Sequence, residues 1–207
     1  MTVPTRLILP TDTLTPDPKE TAARLKLGPS DAVEREAGRP LDDAIASALA
    51  RLIPHVRAVC SFVTVPITVA DAAVDLGFGP IPSRALAKHL ARCREAAVFA
   101  LTLGTGVDRH LLRLSGTSPA MQFLTDGLAS AMAEAACDRA EEQIVGNRPH
   151  RSRFSPGYGD FPLSVQQEVL AMTDAGRRLG ITLNPALLMS PSKSVTAVIG
   201  LLPEEGA

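Results

Sequence analysis

Arg153-Phe-Ser-Pro-Gly-Tyr-Gly-Asp-Phe-Pro162 is the most informative stretch of this 207-residue chain. It sets a fork-shaped cation, a small hydroxyl residue, a Pro-Gly turn and the protein's one tyrosine within six residues. Aromatic residues make up only 3% of the composition, so a tyrosine near an arginine on a glycine-punctuated loop is a poor candidate for filler. Loops of this type often carry function on a scaffold that carries stability.

Downstream of the loop, residues 164–179 have helical spacing, with Gly180 as the C-cap. Residues 187–190 and 195–202 (VTAVIGLL) read as strands joined by Pro191-Ser-Lys-Ser194. Upstream, a long alanine-rich helix is expected over 118–144, its small residues suited to close packing, and a shorter helix over 107–114. Residues 97–103 (AVFALTL), closed by Gly104-Thr-Gly106, and residues 59–67 (VCSFVTVPI) are expected strands. Pro66 points to a sheet edge or a strand end. Residues 77–82 read as loop, and Ser83 as the N-cap of a helix running to about Cys93. Leu41, Ile45, Ala48, Leu49, Leu52, Ile53 and Val56 recur at helical spacing, with Pro54 near the end of the pattern. Residues 31–39 are charged and helical in pattern. Residues 1–30 are expected to form an extended arm with a short helix over 20–27 closed by Gly28, and residues 31–207 one domain. Strands and helices do not alternate regularly. The expected class is therefore α+β, with a mainly antiparallel twisted sheet flanked by helices, and not a doubly wound sheet.

Composition narrows the function. Basic residues number 21 and acidic residues 22, for a formal net charge of -1. That balance gives no bulk attraction to nucleic acid or to an anionic membrane. No run approaches the ~20 apolar residues that span a bilayer, and residues 1–10 do not read as a signal peptide. Cys60, Cys93 and Cys137 are odd in number and form no CxxC pair, which argues against a disulfide framework or a zinc site. A reducing, cytoplasmic setting is the expectation.

The C-terminal quarter resembles the activation (reactivation) domain of cobalamin-dependent methionine synthase. Arg153-Phe-Ser-Pro-Gly-Tyr158 matches that family's Arg-x-x-Pro-Gly-Tyr motif. Gly180-Ile-Thr-Leu-Asn184 and Met189-Ser-Pro-Ser-Lys-Ser-Val195 look like its Gly-x-x-Leu-Thr-Glu and Met-x-Pro-x-x-Ser-Val segments, in the same order. Leu103-Gly-Thr-Gly-Val-Asp108 before an alanine-rich helix looks like the short stand-alone versions of the domain. The resemblance implies a helix-flanked antiparallel sheet that binds S-adenosylmethionine (AdoMet) in a shallow groove. In that family the domain covers the corrinoid once its cobalt is in the inactive Co(II) state. A flavoprotein or other low-potential reductase supplies an electron, AdoMet supplies a methyl group, and methylcobalamin is regenerated. An Asp-x-His-x-x-Gly cobalamin-ligating stretch is absent here, and His55, His89, His110 and His150 are isolated. The expectation is a separate cytoplasmic subunit of methionine biosynthesis. It would act on cobalamin held by a partner, either a methionine synthase core protein or another corrinoid methyltransferase.

On that resemblance, Arg153 is the candidate for the AdoMet carboxylate, which it can hold with paired hydrogen bonds. The alternative is a surface arginine paired with Asp160 or a backbone carbonyl. Ser155, Pro156 and Gly157 offer backbone groups to adenine, or form an empty Pro-Gly turn. Tyr158 can meet the sulfonium or ribose, or be a half-buried loop aromatic. Ser192, Lys193 and Ser194 line the same groove, present Lys193 to an acidic partner surface, or form a solvated hairpin turn. Asp160 orients Arg153 or caps a helix before Pro162. The family places an acidic residue a few positions before the arginine; Asn147 stands there, with Glu141 and Glu142 further upstream, so the ammonium ligand is open. Methyl transfer to Co(I) needs positioning and no general base, so no catalytic side chain and no metal ligand is assigned.

Two rival readings stand beside this one. A docking partner of a corrinoid methyltransferase would keep the fold without using AdoMet. A Rossmann-type methyltransferase would use Leu103-Gly-Thr-Gly106 as its AdoMet loop, although GxG alone is weak evidence.

Overall fold

From Glu95 to Thr102 every residue but the first is buried, which requires cover on both faces of the strand. A computed structural model describes residues 3–16 and 30–203. The elements run β1 (Thr5–Ile8), α1 (Ser30–Ala37), α2 (Leu41–Leu52), β2 (Val59–Pro66), β3 (Thr68–Val69), β4 (Ala73–Asp75) and β5 (Pro80–Pro82). They continue with α3 (Arg84–His89), β6 (Glu95–Thr102), α4 (Thr105–Ser115), α5 (Pro119–Val145), α6 (Gln166–Met172), α7 (Ala175–Leu179), β7 (Thr182–Leu183), β8 (Met189–Ser190) and β9 (Ser194–Leu201). The helix expected over 20–27 lies outside the described residues.

The main sheet has the order β1-β2-β6-β9, and every pairing is antiparallel. Side chains alternate across it. Cys60, Ala97, Phe99, Leu101, Ala197 and Ile199 face one core, built with α1, α2, α4 and α5. Val63, Ala96, Val98 and Val198 face the other, with α3, α6 and the small sheet β3-β4-β5. Because helices cover both faces, β6 reads as an unbroken apolar run although its neighbours are antiparallel. The α+β class with a mainly antiparallel sheet is therefore what the chain adopts.

Alanine explains how α5 packs. Ala129, Ala133, Ala136 and Ala140 are buried along it with Leu124, Leu128 and Met132, so its backbone can approach the sheet closely. Glu36, at the end of α1, accepts from the Ser118 hydroxyl and from the Ala120 N–H at 3.2 Å. A carboxylate from one helix thus satisfies the exposed N–H groups of another.

Several local expectations change. Residues 5–8 of the expected arm pair with β2 as an edge strand, and Leu9 and Leu14 behind them are buried. Pro66 does fall at a strand end, as expected, where its missing N–H costs no ladder bond although the strand is interior. Part of the expected loop 77–82 is β5, paired with β4. The helix after Ser83 stops at His89, short of Cys93. The expected helix over 164–179 is two helices, broken at Asp174, which has a left-handed backbone (φ 50°). The buried Ser61 hydroxyl of β2 donates to the Thr173 carbonyl at 2.7 Å, turning that carbonyl toward the sheet where the helix ends. Residues 189–190 pair with β7 and not with β9, so Pro191–Ser194 is no hairpin turn.

Candidate functional site

The loop carrying Arg153 is held along the open edge of β9. Phe154 and Val198 exchange backbone hydrogen bonds, 2.9 Å each way, and His150 bridges to Leu201. The Phe154 ring stacks on His89 at 4.8 Å and on Phe161 at 6.0 Å between centroids. The turn that follows is closed by Gly157 N–H to the Phe161 carbonyl (2.8 Å) and Phe161 N–H to the Tyr158 carbonyl (3.0 Å). Gly157 sits at φ 96°, a conformation that side chains disfavour. Tyr158 is left 65% exposed, its ring tilted beside Phe154 at 6.2 Å.

With the loop so anchored, Arg153 turns to α5. Its Nη1 donates to Asp138 Oδ1 and to Glu141 Oε2, both at 2.7 Å, and its Nη2 to Glu134 Oε2 at 3.4 Å. Burial disfavours the guanidinium charge, but the hydrogen bond to Asp138 and the fields of Asp138 and Glu141 help outweigh it and hold the pKa above its ordinary value. Glu141 is also 3.5 Å from His150 Nε2. Three carboxylates against one guanidinium leave this surface anionic.

These groups line an open groove of about 670 Å³ between α5, the loop and β9. Its walls include Arg153, Ser155, Pro156, Tyr158 and Ser194, with Leu163 and Met189 apolar among them. Gln166 lies at the groove too; its side chain is buried, its Nε2 donates to the Leu187 carbonyl at 3.5 Å, and its Oε1 has no hydrogen-bond partner. Gly157, Ser192 and Lys193 are not among the lining residues. Ser192 is tied through its N–H to Asp108 at 3.0 Å. The Lys193 ammonium pairs with Asp126 and donates to Ser130 of α5.

Asp160 does not touch Arg153. It accepts from the Ser83 hydroxyl and from the N–H groups of Arg84 (2.9 Å) and Ala85 (3.0 Å), which together pull its carboxyl below the ordinary range. It therefore caps α3 and not the turn before Pro162. Ser83 does act as the expected N-cap, accepting from Leu86 N–H at 3.0 Å.

Linear reading noted Glu141 only as an acid upstream of the loop, and it missed Glu134 and Asp138, which join Glu141 on Arg153. Their i, i+4, i+7 spacing on α5 puts them on one helix face, a signal visible within an alanine-rich run. Gln166 carried no sequence signal.

Compared with solved structures, the chain is similar to one described as the crystal structure of the MetH reactivation domain bound to AdoHcy. The TM-score is 0.67 over 99% of this chain and 80% of that one, at 16% sequence identity. The fold is that of the MetH reactivation domain. No protein-family model matches the chain, and no curated protein matches it. The reactivation-domain fold excludes the Rossmann reading: β6, which feeds Gly104-Thr-Gly106, is antiparallel to both of its neighbours. Among the described residues no helix is long and apolar enough to cross a membrane, and no cluster of His, Cys, Asp or Glu is placed to hold a metal.

Proposed function

We propose that this chain is an AdoMet-binding reactivation module, which supports reductive methylation of inactive cob(II)alamin on a separate corrinoid protein in methionine synthesis. One observation carries the reading: on a fold shared with a domain crystallised with AdoHcy, the Arg153–Tyr158 loop and the acidic face of α5 enclose a groove. Its volume of about 670 Å³ lies within the roughly 300–1,000 Å³ usual for small-molecule sites.

The residues present fit AdoMet. The ligand carries an ammonium and a sulfonium, and Glu134, Asp138 and Glu141 supply the matching anionic wall. It also carries a carboxylate. Arg153 has five N–H donors, of which the three carboxylates account for three. Tyr158 offers an exposed π-face to a cation. The unpaired, buried Gln166 Oε1 can accept from an adenine amino group or a ribose hydroxyl. Bound AdoMet supplies an electrophilic methyl group; the protein's task is to hold its charged end fixed and its reactive end open to the partner. No side chain here has to move a proton.

Reconstitution tests the proposal. The full chain is mixed with a cobalamin-binding synthase core that lacks its own activation domain, AdoMet and a low-potential reductant, and the Co(II) absorbance is followed. Loss of the Co(II) band that depends on both the chain and AdoMet is the expected result. No conversion by a folded chain overturns it. Binding of the corrinoid protein without AdoMet uptake would favour the simple docking partner instead.

A further inference from the structure

A second concavity, of about 610 Å³, lies where β2 begins and β6 ends, and five arginines converge on it. Arg6 comes from β1, Arg57 from the turn before β2, Arg109 and Arg113 from α4, and Arg178 from α7. His55 is the sixth basic group in the wall, and no Asp or Glu is among the lining residues. Among the described residues only Arg178 has a carboxylate within ion-pair reach, Asp174 at 3.4 Å. With 21 basic and 22 acidic residues in the chain, this is local segregation and not a general excess of positive charge.

Local hydrogen bonds and close packing set the walls. Arg57 Nη1 donates to the carbonyls of Val56 (2.8 Å) and Pro54 (3.4 Å), and Arg109 Nη2 donates to Thr105 Oγ1 (3.0 Å). The first turn of α4 packs so tightly on the turn after α2 that a Cβ at Gly106 would sit 2.3 Å from the His55 carbonyl oxygen. The N-terminus of α4, at Thr105 and Gly106, opens into the same cavity and adds the favourable end of a helix dipole. Beside the cavity, His110 stacks on His55 at 4.6 Å. Burial, then His55, then Arg113 and Arg51 push its imidazole below the ordinary range.

We propose that this cavity binds a small phosphate-bearing ligand. Guanidinium forks match phosphate oxygens bidentately, and an anion relieves the repulsion among five like charges. A concave site fits a small polyanion; a nucleic-acid track would be an extended basic stripe, which the near-neutral chain lacks. The proposal does not depend on the AdoMet reading, because the groove of Arg153 contributes none of these arginines.

The test is calorimetry on the full chain at low salt, with pyrophosphate, ATP and hexaglutamate as probes. Pyrophosphate or ATP is expected to bind, with affinity falling as salt rises. Arg113→Gln and Arg6→Gln, exposed positions on different elements, should each weaken binding by at least about tenfold without shifting the melting temperature. Arg153→Gln should leave pyrophosphate binding unchanged. Binding of both phosphate probes assigns recognition to the phosphates; binding of ATP alone adds a base contact. No heat from pyrophosphate or ATP at about 1 mM, a level that detects even weak sites, overturns the proposal. So does binding indifferent to both arginine variants, or hexaglutamate binding tighter than ATP.

Discussion

Lys193 Nζ lies 2.8 Å from Asp126 Oδ1 and 2.9 Å from Ser130 Oγ, pinning the entry of β9 to α5. The lysine side chain is only 13% exposed. Asp126 and Ser130 belong to the polar stripe that continues through Glu134, Asp138 and Glu141 to Arg153. One helix face thus holds both the strand and the loop. Lys193→Met should lower stability by about 1–2 kcal/mol, the size expected for a charge-assisted hydrogen bond with one half-exposed partner. Urea denaturation of the single variants and of the pair with Asp126→Asn should show coupling between them. Additive effects would mean that the contact contributes nothing.

Asp160 gives a pH-dependent prediction. Its folded-state carboxyl titrates below its ordinary 3.8, chiefly because of the Ser83 hydroxyl and then the N–H groups of Ala85 and Arg84. A depressed carboxyl stabilises the fold above its unfolded value, and that contribution is lost as pH falls through the folded value. Asp160→Ala should therefore lower the urea midpoint near neutrality, and the gap to wild type should close below about pH 4. Ser83→Ala removes both the cap of α3 and this partner, and should cost about 1–2 kcal/mol. A gap that stayed constant from pH 7 to pH 3 would show that the carboxylate is not what stabilises this joint.

What the sequence exposes and what it hides follows from distance along the chain. Ser83 is readable as a cap because its bond to Leu86 spans one turn. Asp160 and Glu36 cap helices far from them in sequence, and no local pattern marks that. The runs 59–67 and 97–103 announce strands because they are rich in β-branched and aromatic residues. By contrast, β3, β4 and β5 have two or three residues each, with prolines and glycines that read as loop. The helix break at Asp174 falls where the Thr173 carbonyl accepts from Ser61 in β2, a contact across the fold that no local pattern marks. At the site, the Arg-x-x-Pro-Gly-Tyr loop is legible as a motif. Its acidic counterpart sits on another element and emerges only once 134, 138 and 141 are placed on one helix face. The arginine cavity, drawn from five positions scattered between 6 and 178, leaves no linear trace.

The three thiols are all buried, and burial raises the pKa of each. Cys137 is pushed up to about 12, chiefly by desolvation. Native protein at pH 8 should therefore resist iodoacetamide, and all three cysteines should react after unfolding in guanidinium. The same shifts predict instability in base. The folded thiols stay neutral while those of the unfolded chain ionise, so stability declines as pH climbs past the ordinary 9.0. Rapid alkylation of a folded sample, measured by intact mass, would place a thiol at the surface.

Glu141 is the carboxylate best placed to separate charge recognition from simple packing. Its side chain is 14% exposed, whereas Glu134 and Asp138 are each 64% exposed and more fully screened by water. AdoMet differs from AdoHcy by one methyl group and the positive charge on sulfur. An anionic wall should therefore favour AdoMet, and removing one of its charges should erode that preference. Glu141→Gln keeps the shape and an acceptor for Arg153 but deletes the charge. It should weaken AdoMet more than AdoHcy, by roughly fivefold in the ratio, corresponding to about 1 kcal/mol for a partly screened pair. Glu134→Gln should move the ratio less. Calorimetry with both ligands at two salt concentrations checks this, since the AdoMet advantage should shrink as salt rises. Equal losses for the two ligands would mean that Glu141 acts only by steadying Arg153, and that the sulfonium charge is read elsewhere.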